Sequence, residues 1–241
     1  MKSTFRAVAY FILGSIFTAG VISGEEGYFG DIIELYGEDI TFLTAQHIEL
    51  VLISGGLAII AGIPLGVWLS RPDMQKRAET IMQGLNIGTT VPTLAILALS
   101  MSFLGIGMLP AVFALWLATL LPIVRNTYAG MRAVPAFLKE AATGMGMVPS
   151  QIMFKVELPN ALFVIFAGIR TALTINVGTV PLAFLIGGGG LGELIFTGID
   201  LDEINMMLAG AVPVALLAMA TDFIIGQAQY WLIPRGVNPL R

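Results

Sequence analysis

The chain of 241 residues contains no cysteine and only one histidine, His47. Without cysteine it forms neither a disulfide framework nor a catalytic thiolate, and a single histidine argues against a zinc site with several protein ligands. The chain has no GxxxxGK(S/T) phosphate loop, and His47 has no serine partner that it could activate. We therefore expect no catalytic residue, no metal and no other cofactor. The chain is not an enzyme and cannot hydrolyse ATP itself.

Charged residues are also scarce. They make up 12% of the chain, whereas an ordinary soluble domain carries about 25%. Hydrophobic residues make up 56%, so the composition predicts an all-α integral membrane protein. Since a spanning helix needs about 20 apolar residues, we expect six transmembrane helices, near 5–23, 47–70, 81–104, 109–124, 160–186 and 205–233.

The positions of lysine and arginine predict the orientation of these spans. With six spans drawn, 11 of the 12 basic residues fall on one side, and the opposite loops, 24–46, 105–108 and 187–204, contain none. Basic loops stay in the cytoplasm, so we expect both termini there, in a multi-pass membrane protein. Lys2 and Arg6 also precede an apolar run and small residues, so a cleaved signal peptide is the alternative for the first span.

The largest cytoplasmic feature is the loop between the fourth and fifth spans. Residues 135–159 are patterned as two short helices. Pro135 suits the first turn of one helix, and Gly144 and Gly146 allow a sharp turn after it. Pro149 is expected to open the second helix and Pro159 to end it. Such a loop either packs on its own membrane domain or docks a soluble partner.

The residue spacing in this loop favours docking, because it resembles the EAA loop of ABC importer permeases. That pattern is EAA, three residues, G, nine residues, I, one residue, LP, and this chain differs only by valine for isoleucine. The resemblance implies the six-helix MetI-like fold of type I ABC importer permeases, in which the loop seats in a cytoplasmic ATP-binding subunit and transmits its closure. The residues to which it gives this coupling role are Glu140, Ala141, Ala142, Gly146, Val156, Leu158 and Pro159.

Other stretches narrow the resemblance. "LPIVRNTYAGM" (121–131), "AGIRTALTINVGT" (167–179) and "IGGGGLGELIFTGI" (186–199) are similar to permeases of the glycine betaine, choline and carnitine group, which import osmoprotectants into bacteria. The similarity covers 43–233. Residues 1–42 are interpreted as an added transmembrane helix with an acidic periplasmic loop, and 234–241 as a cytoplasmic tail.

The resemblance also implies partners. They are two copies of a cytoplasmic ATP-binding subunit, a second copy of this permease or a related one, a periplasmic or lipid-anchored substrate-binding protein, and membrane lipid, but no nucleic acid. Two alternatives stay open. One is an ABC permease for another small solute such as methionine. The other is an ion-coupled secondary transporter, although such transporters typically show inverted repeats and none stands out here.

Polar residues inside the spans are the remaining candidates. Arg170 is the basic residue within a span, and Asp222 lies at a similar depth, so we predict that the two pair. His47 is expected at the outer surface, as an interfacial residue or a pH reporter. The candidates for the pore lining, or alternatively for hydrogen bonds between helices, are Asn86, Thr89, Thr90, Thr174, Asn176 and Thr179.

Overall fold

The computed structural model describes residues 28–88 and 90–239, and every regular element in these ranges is helical. The predicted all-α class is therefore confirmed. The first expected span, 5–23, and Thr89 lie outside the described residues. The helices are α1 (Tyr28–Leu69), α2 (Gln75–Gly88), α3 (Thr93–Leu104), α4 (Met108–Arg132), α5 (Ala136–Gly144), α6 (Pro149–Ile152), α7 (Leu158–Thr179), α8 (Gly192–Asp200) and α9 (Ile204–Leu232).

Two of these helices continue into tighter or wider turns. A π-helical turn, Met153–Glu157, joins α6 to α7, and a 3₁₀ segment, Val180–Ile186, follows α7. Within the described ranges, four helical stretches are long and apolar enough to cross a membrane, and α2 with α3, bent by 97°, makes a fifth. These five coincide with the second to sixth expected spans. The count of six and the side of each terminus stay predictions.

Helix α1 begins much earlier than expected. The prediction of a loop at 24–46 is wrong from Tyr28 onward, because α1 is continuous over 42 residues. At ~1.5 Å per residue this is about 63 Å, twice the ~30 Å of a bilayer core. The helix forms because it has packing partners: Ile32 and Leu43 are buried in one cluster with Leu191 and Leu194, at the start of α8, and Ala209 of α9. Its first half therefore extends beyond the apolar layer.

Helix α4 is the centre of the packing, in contact with α1, α3 and α7. Small residues let the helices approach closely, as is common between membrane helices. A Cβ atom at Gly66 of α1 would lie 2.5 Å from Cβ of Thr127, and one at Gly168 of α7 would lie 2.4 Å from Cβ of Asn126. This packing holds the C-terminal end of α1 and the middle of α7 against α4.

Candidate coupling site and intramembrane polar contacts

The coupling segment, residues 135–159, starts with a helix that a glycine terminates. Helix α5 ends at Gly144, and Gly146 follows with a φ of +77°. The N–H of Met147 donates to the oxygen of Ala142 at 3.1 Å, and the N–H of Gly146 donates to that of Thr143 at 2.9 Å. This is the Schellman arrangement, whose left-handed residue is usually glycine. The spacing between EAA and G in this chain thus has a local backbone cause.

The second half of the coupling segment is joined to α7 without a break. The prediction that Pro159 ends a helix is wrong, because Pro159 lies in the first turn of α7, directly after a π turn. The preceding π turn carries a hydrogen bond from the N–H of Leu158 to the oxygen of Met153. Such a turn widens the helix ahead of the proline ring. A force on this segment therefore acts directly on α7.

The coupling segment exposes large apolar side chains on α5, where Glu140 and Ala141 are also exposed, and on the turns that follow α5. We call this set of exposed residues the EAA surface, and its large apolar members are 52–71% exposed. Exposed apolar patches of this kind mark interaction sites. The EAA surface consists of Phe137, Glu140, Ala141, Met145, Val148 and Phe154.

The other residues of the EAA pattern lie beneath or beside this surface. Ala142 is buried and Gly146 is exposed at the turn. Val156, Leu158 and Pro159 are half-buried where the segment joins α7. The structure therefore separates the pattern into a face that a partner can touch and a base that anchors it.

An ion cluster that the sequence did not reveal holds this base. Nη1 of Arg71, just after α1, donates to Oε2 of Glu157 at 2.7 Å, and Nζ of Lys139 lies 3.9 Å from Oε1. Arg71 and Glu157 are 86 residues apart, so no spacing rule points to the contact. The sequence offered one weak signal: Glu157 is an acidic residue between Val156 and Leu158, two positions of the EAA pattern.

The predicted intramembrane pair is brought together by α7 and α9. Nε of Arg170 donates to Oδ1 of Asp222 at 2.5 Å, and Nη2 pairs with Oδ2. Their side chains remain 34% and 39% exposed. A charged pair that faced hydrocarbon would be costly. The exposed side of this pair therefore faces water or protein rather than lipid.

The hydroxyl and amide candidates for the pore lining are mostly engaged within the chain. Asn176 is 1% exposed, and its Nδ2 donates to Oγ of Ser54 at 2.9 Å. It does not line an open surface of this chain, because it connects α7 to α1. Thr179 donates to the oxygen of Asn176 at 3.0 Å and Thr90 to that of Ile87 at 2.7 Å.

Two further candidates differ in their surroundings. Oγ1 of Thr174 is enclosed and makes no hydrogen bond to the described residues, whereas Asn86 of α2 is exposed.

The interfacial position expected for His47 is wrong, since this side chain is fully buried. Its Nε2 donates to the oxygen of Val177 at 3.1 Å. The sequence did not predict a partner for it because the contact joins residues 130 apart.

Residues 62–235 match the protein family described as the binding-protein-dependent transport system inner membrane component. The chain belongs to this family. It is the membrane-embedded permease of an ABC importer, a multi-pass protein of the inner membrane, and it is not an enzyme because a separate subunit hydrolyses ATP. The family membership confirms the class of protein that the EAA spacing indicated.

Relatives of this permease match over most of its length. The osmoprotectant import permease protein OsmY of Salmonella typhimurium is 52% identical over 199 residues, which cover 83% of this chain and 84% of the relative. The choline transport system permease protein OpuBB of Bacillus subtilis is 43% identical over 209 residues, which cover 87% and 95%.

The fold is also that of a solved permease. An inward-facing structure of the MetNI methionine ABC transporter is similar with a TM-score of 0.70 at 24% identity, covering 82% of this chain and 99% of that one. This likeness confirms the expected MetI-like fold. Membership of an ABC importer also implies an ATP-binding subunit and a substrate-binding protein as partners.

Proposed function

We propose that this permease serves an importer of quaternary-ammonium osmoprotectants of the glycine betaine, choline and carnitine type. The observation that carries the substrate class is the extent of the likeness: relatives named for osmoprotectant and choline transport are 52% and 43% identical over more than four-fifths of the chain. The sequence stretches "LPIVRNTYAGM" and "AGIRTALTINVGT" support the same group. The proposed substrates are therefore inferred from similarity to these relatives, whereas the proposed coupling is inferred from the geometry of the coupling segment.

Import is driven, in this proposal, by two ATP-binding subunits that dock on the EAA surfaces of two permeases. The EAA surface supports docking because it offers exposed Phe137, three residues before Glu140 on α5, and exposed Phe154, and aromatic residues are common anchors at interfaces. Closure of the ATP-binding subunits moves α7, which is continuous with the coupling segment. A second permease, identical or related, completes the pathway, and the exposed side of the pair of Arg170 and Asp222 faces that shared interior.

Uptake in bacterial cells that lack their own betaine, choline and carnitine systems tests the substrate class. The permease is expressed with the genes that neighbour it, and labelled glycine betaine, choline, carnitine and methionine are offered separately. The proposal predicts uptake of at least one quaternary ammonium compound and none of methionine. Uptake of methionine alone, with the permease present in the membrane, would assign the importer to the alternative class of solute.

A further inference from the structure

Glu157 lies where three parts of the permease meet. Its side chain is 11% exposed, and it stands at the end of the π turn, at the base of α7. Arg71 reaches it from the end of α1, and Lys139 reaches it from α5, one residue before Glu140. One carboxylate thus contacts the helix that carries the EAA residues and the bases of two membrane helices.

The guanidinium of Arg71 is held in place by the end of its own helix. Its Nε donates to the oxygen of Val67 and its Nη2 to Oγ of Ser70, each at 3.2 Å. Ser70 donates in turn to Val67 at 2.7 Å. Because the planar fork of arginine makes several directed bonds at once, Nη1 is aimed at Glu157. The connection between α1 and Glu157 is therefore stiff.

The burial of Glu157 separates this contact from an ordinary surface ion pair. Exposed ion pairs contribute little, but a carboxylate that is nearly enclosed depends on its partners. Lys155, two residues earlier, is exposed and forms no ion pair with the described residues. The chain thus offers a matched charged position on the same turn that lacks the contact.

We propose that Glu157 is a positioning residue that makes the end of α1 follow the coupling segment, so that α1 and α7 move as one body when the ATP-binding subunits close. This inference rests on the docking proposed above. Loss of the carboxylate charge leaves the EAA surface intact, so the ATP-binding subunit still binds and hydrolyses ATP. The movement of α7 is then no longer passed fully to α1, and hydrolysis proceeds without a matching amount of import.

The test compares the solute imported per ATP hydrolysed by the reconstituted complex, with wild-type, Glu157→Gln, Arg71→Gln, the double variant and Lys155→Gln permease. We expect the ratio to fall about tenfold in each single variant, to fall no further in the double variant because the two residues act as a unit, and to stay unchanged in Lys155→Gln. A wild-type ratio in Glu157→Gln, at equal binding of the ATP-binding subunit, overturns the inference.

A distance measurement on the permease tests the same inference independently of the solute. The chain has no cysteine, so spin labels are placed through Asp73→Cys and Thr143→Cys, both at exposed positions. We expect a broader distance distribution with Glu157→Gln than with Lys155→Gln. Equal distributions contradict the inference even where import is absent, whereas absence of import in the wild type contradicts the proposed function alone.

Discussion

His47 donates a hydrogen bond to the carbonyl oxygen of Val177, which is the carbonyl that Pro181 leaves without a helical donor. An α-helix satisfies each carbonyl with the N–H four residues later, and proline has none. A fully buried side chain from α1 supplies the missing donor. The contact requires a proton on Nε2, and it connects α1 to the point where α7 gives way to the 3₁₀ segment.

Replacement of His47 by leucine is expected to lower the stability of the permease by about 1–3 kcal/mol, because a buried carbonyl is left unsatisfied. His47→Gln places an amide donor near the same point, so we expect it to lower the stability by less than His47→Leu does. Thermal unfolding of the purified protein in detergent measures both. Equal loss in the two variants would mean that the hydrogen bond is not what the site requires.

Removal of one partner of the Arg170 and Asp222 pair leaves a charge in the membrane. We expect Arg170→Met or Asp222→Asn to lower stability by about 1–2 kcal/mol, less than for a buried pair because the two side chains are 34% and 39% exposed, and we expect the double variant to recover much of the loss. Membrane protein level and thermal unfolding measure this. The charge reversal Arg170→Glu provides the contrary outcome. If both expression and transport stayed intact in this variant, the pair would not be required for function.

The double variant of this pair also separates two roles. If the pair only holds α7 and α9 in register, the double variant, once its stability is recovered, imports normally. If the pair also works in gating, the double variant is present at wild-type level but imports poorly. Initial uptake rates, normalised to the amount of permease in the membrane, distinguish the two.

Gly146→Ala is expected to lower the free energy of unfolding by about 1–2 kcal/mol, because alanine is strained at a φ of +77°. No atom lies within 4 Å of the added Cβ, so backbone strain alone accounts for the loss. Gly144→Ala is the control, since Gly144 is helical with equally open surroundings, and it should stabilise α5 by about 0.5–1 kcal/mol. Thermal unfolding compares the two, and similar values would contradict the left-handed turn.

Gly66→Ala tests the approach of α1 to α4. The added Cβ would lie 2.5 Å from Cβ of Thr127 and 2.8 Å from the backbone oxygen of Val124, and such overpacking costs about 1–3 kcal/mol. Gly56→Ala, in the same helix with nothing within 4 Å, should be neutral or stabilising. The unfolding midpoints of the two variants in detergent measure this difference in stability. An unchanged midpoint in Gly66→Ala would mean that α1 and α4 can move apart without loss of stability.

The sequence predicted what depends on local pattern. Apolar runs predicted the five described spans, and prolines and glycines predicted α5, its glycine turn and the start of α6, because these signals lie within a few residues of the structures that they produce. The closeness of Arg170 and Asp222 followed from counting residues along two helices, since both start from the same side of the membrane.

What the sequence did not predict depends on distant partners. The extension of α1 to Tyr28 is stabilised by residues of α8 and α9, far along the chain. Pro159 continues a helix because a π turn precedes it, and the composition of that turn has no distinctive feature. The burial of His47 and the contact of Arg71 with Glu157 arise only after α1, α5 and α7 have packed together, so no rule of spacing could reveal them.

The most direct test of the account is the uptake of labelled glycine betaine with wild-type and Glu140→Arg permease at equal membrane protein level. The control is Glu79→Arg, an exposed acidic residue of α2 outside the EAA surface. The account predicts uptake with the wild type and the control, and loss with Glu140→Arg, since the reversed charge lies where the ATP-binding subunit docks. Full uptake with Glu140→Arg would contradict coupling through the EAA surface.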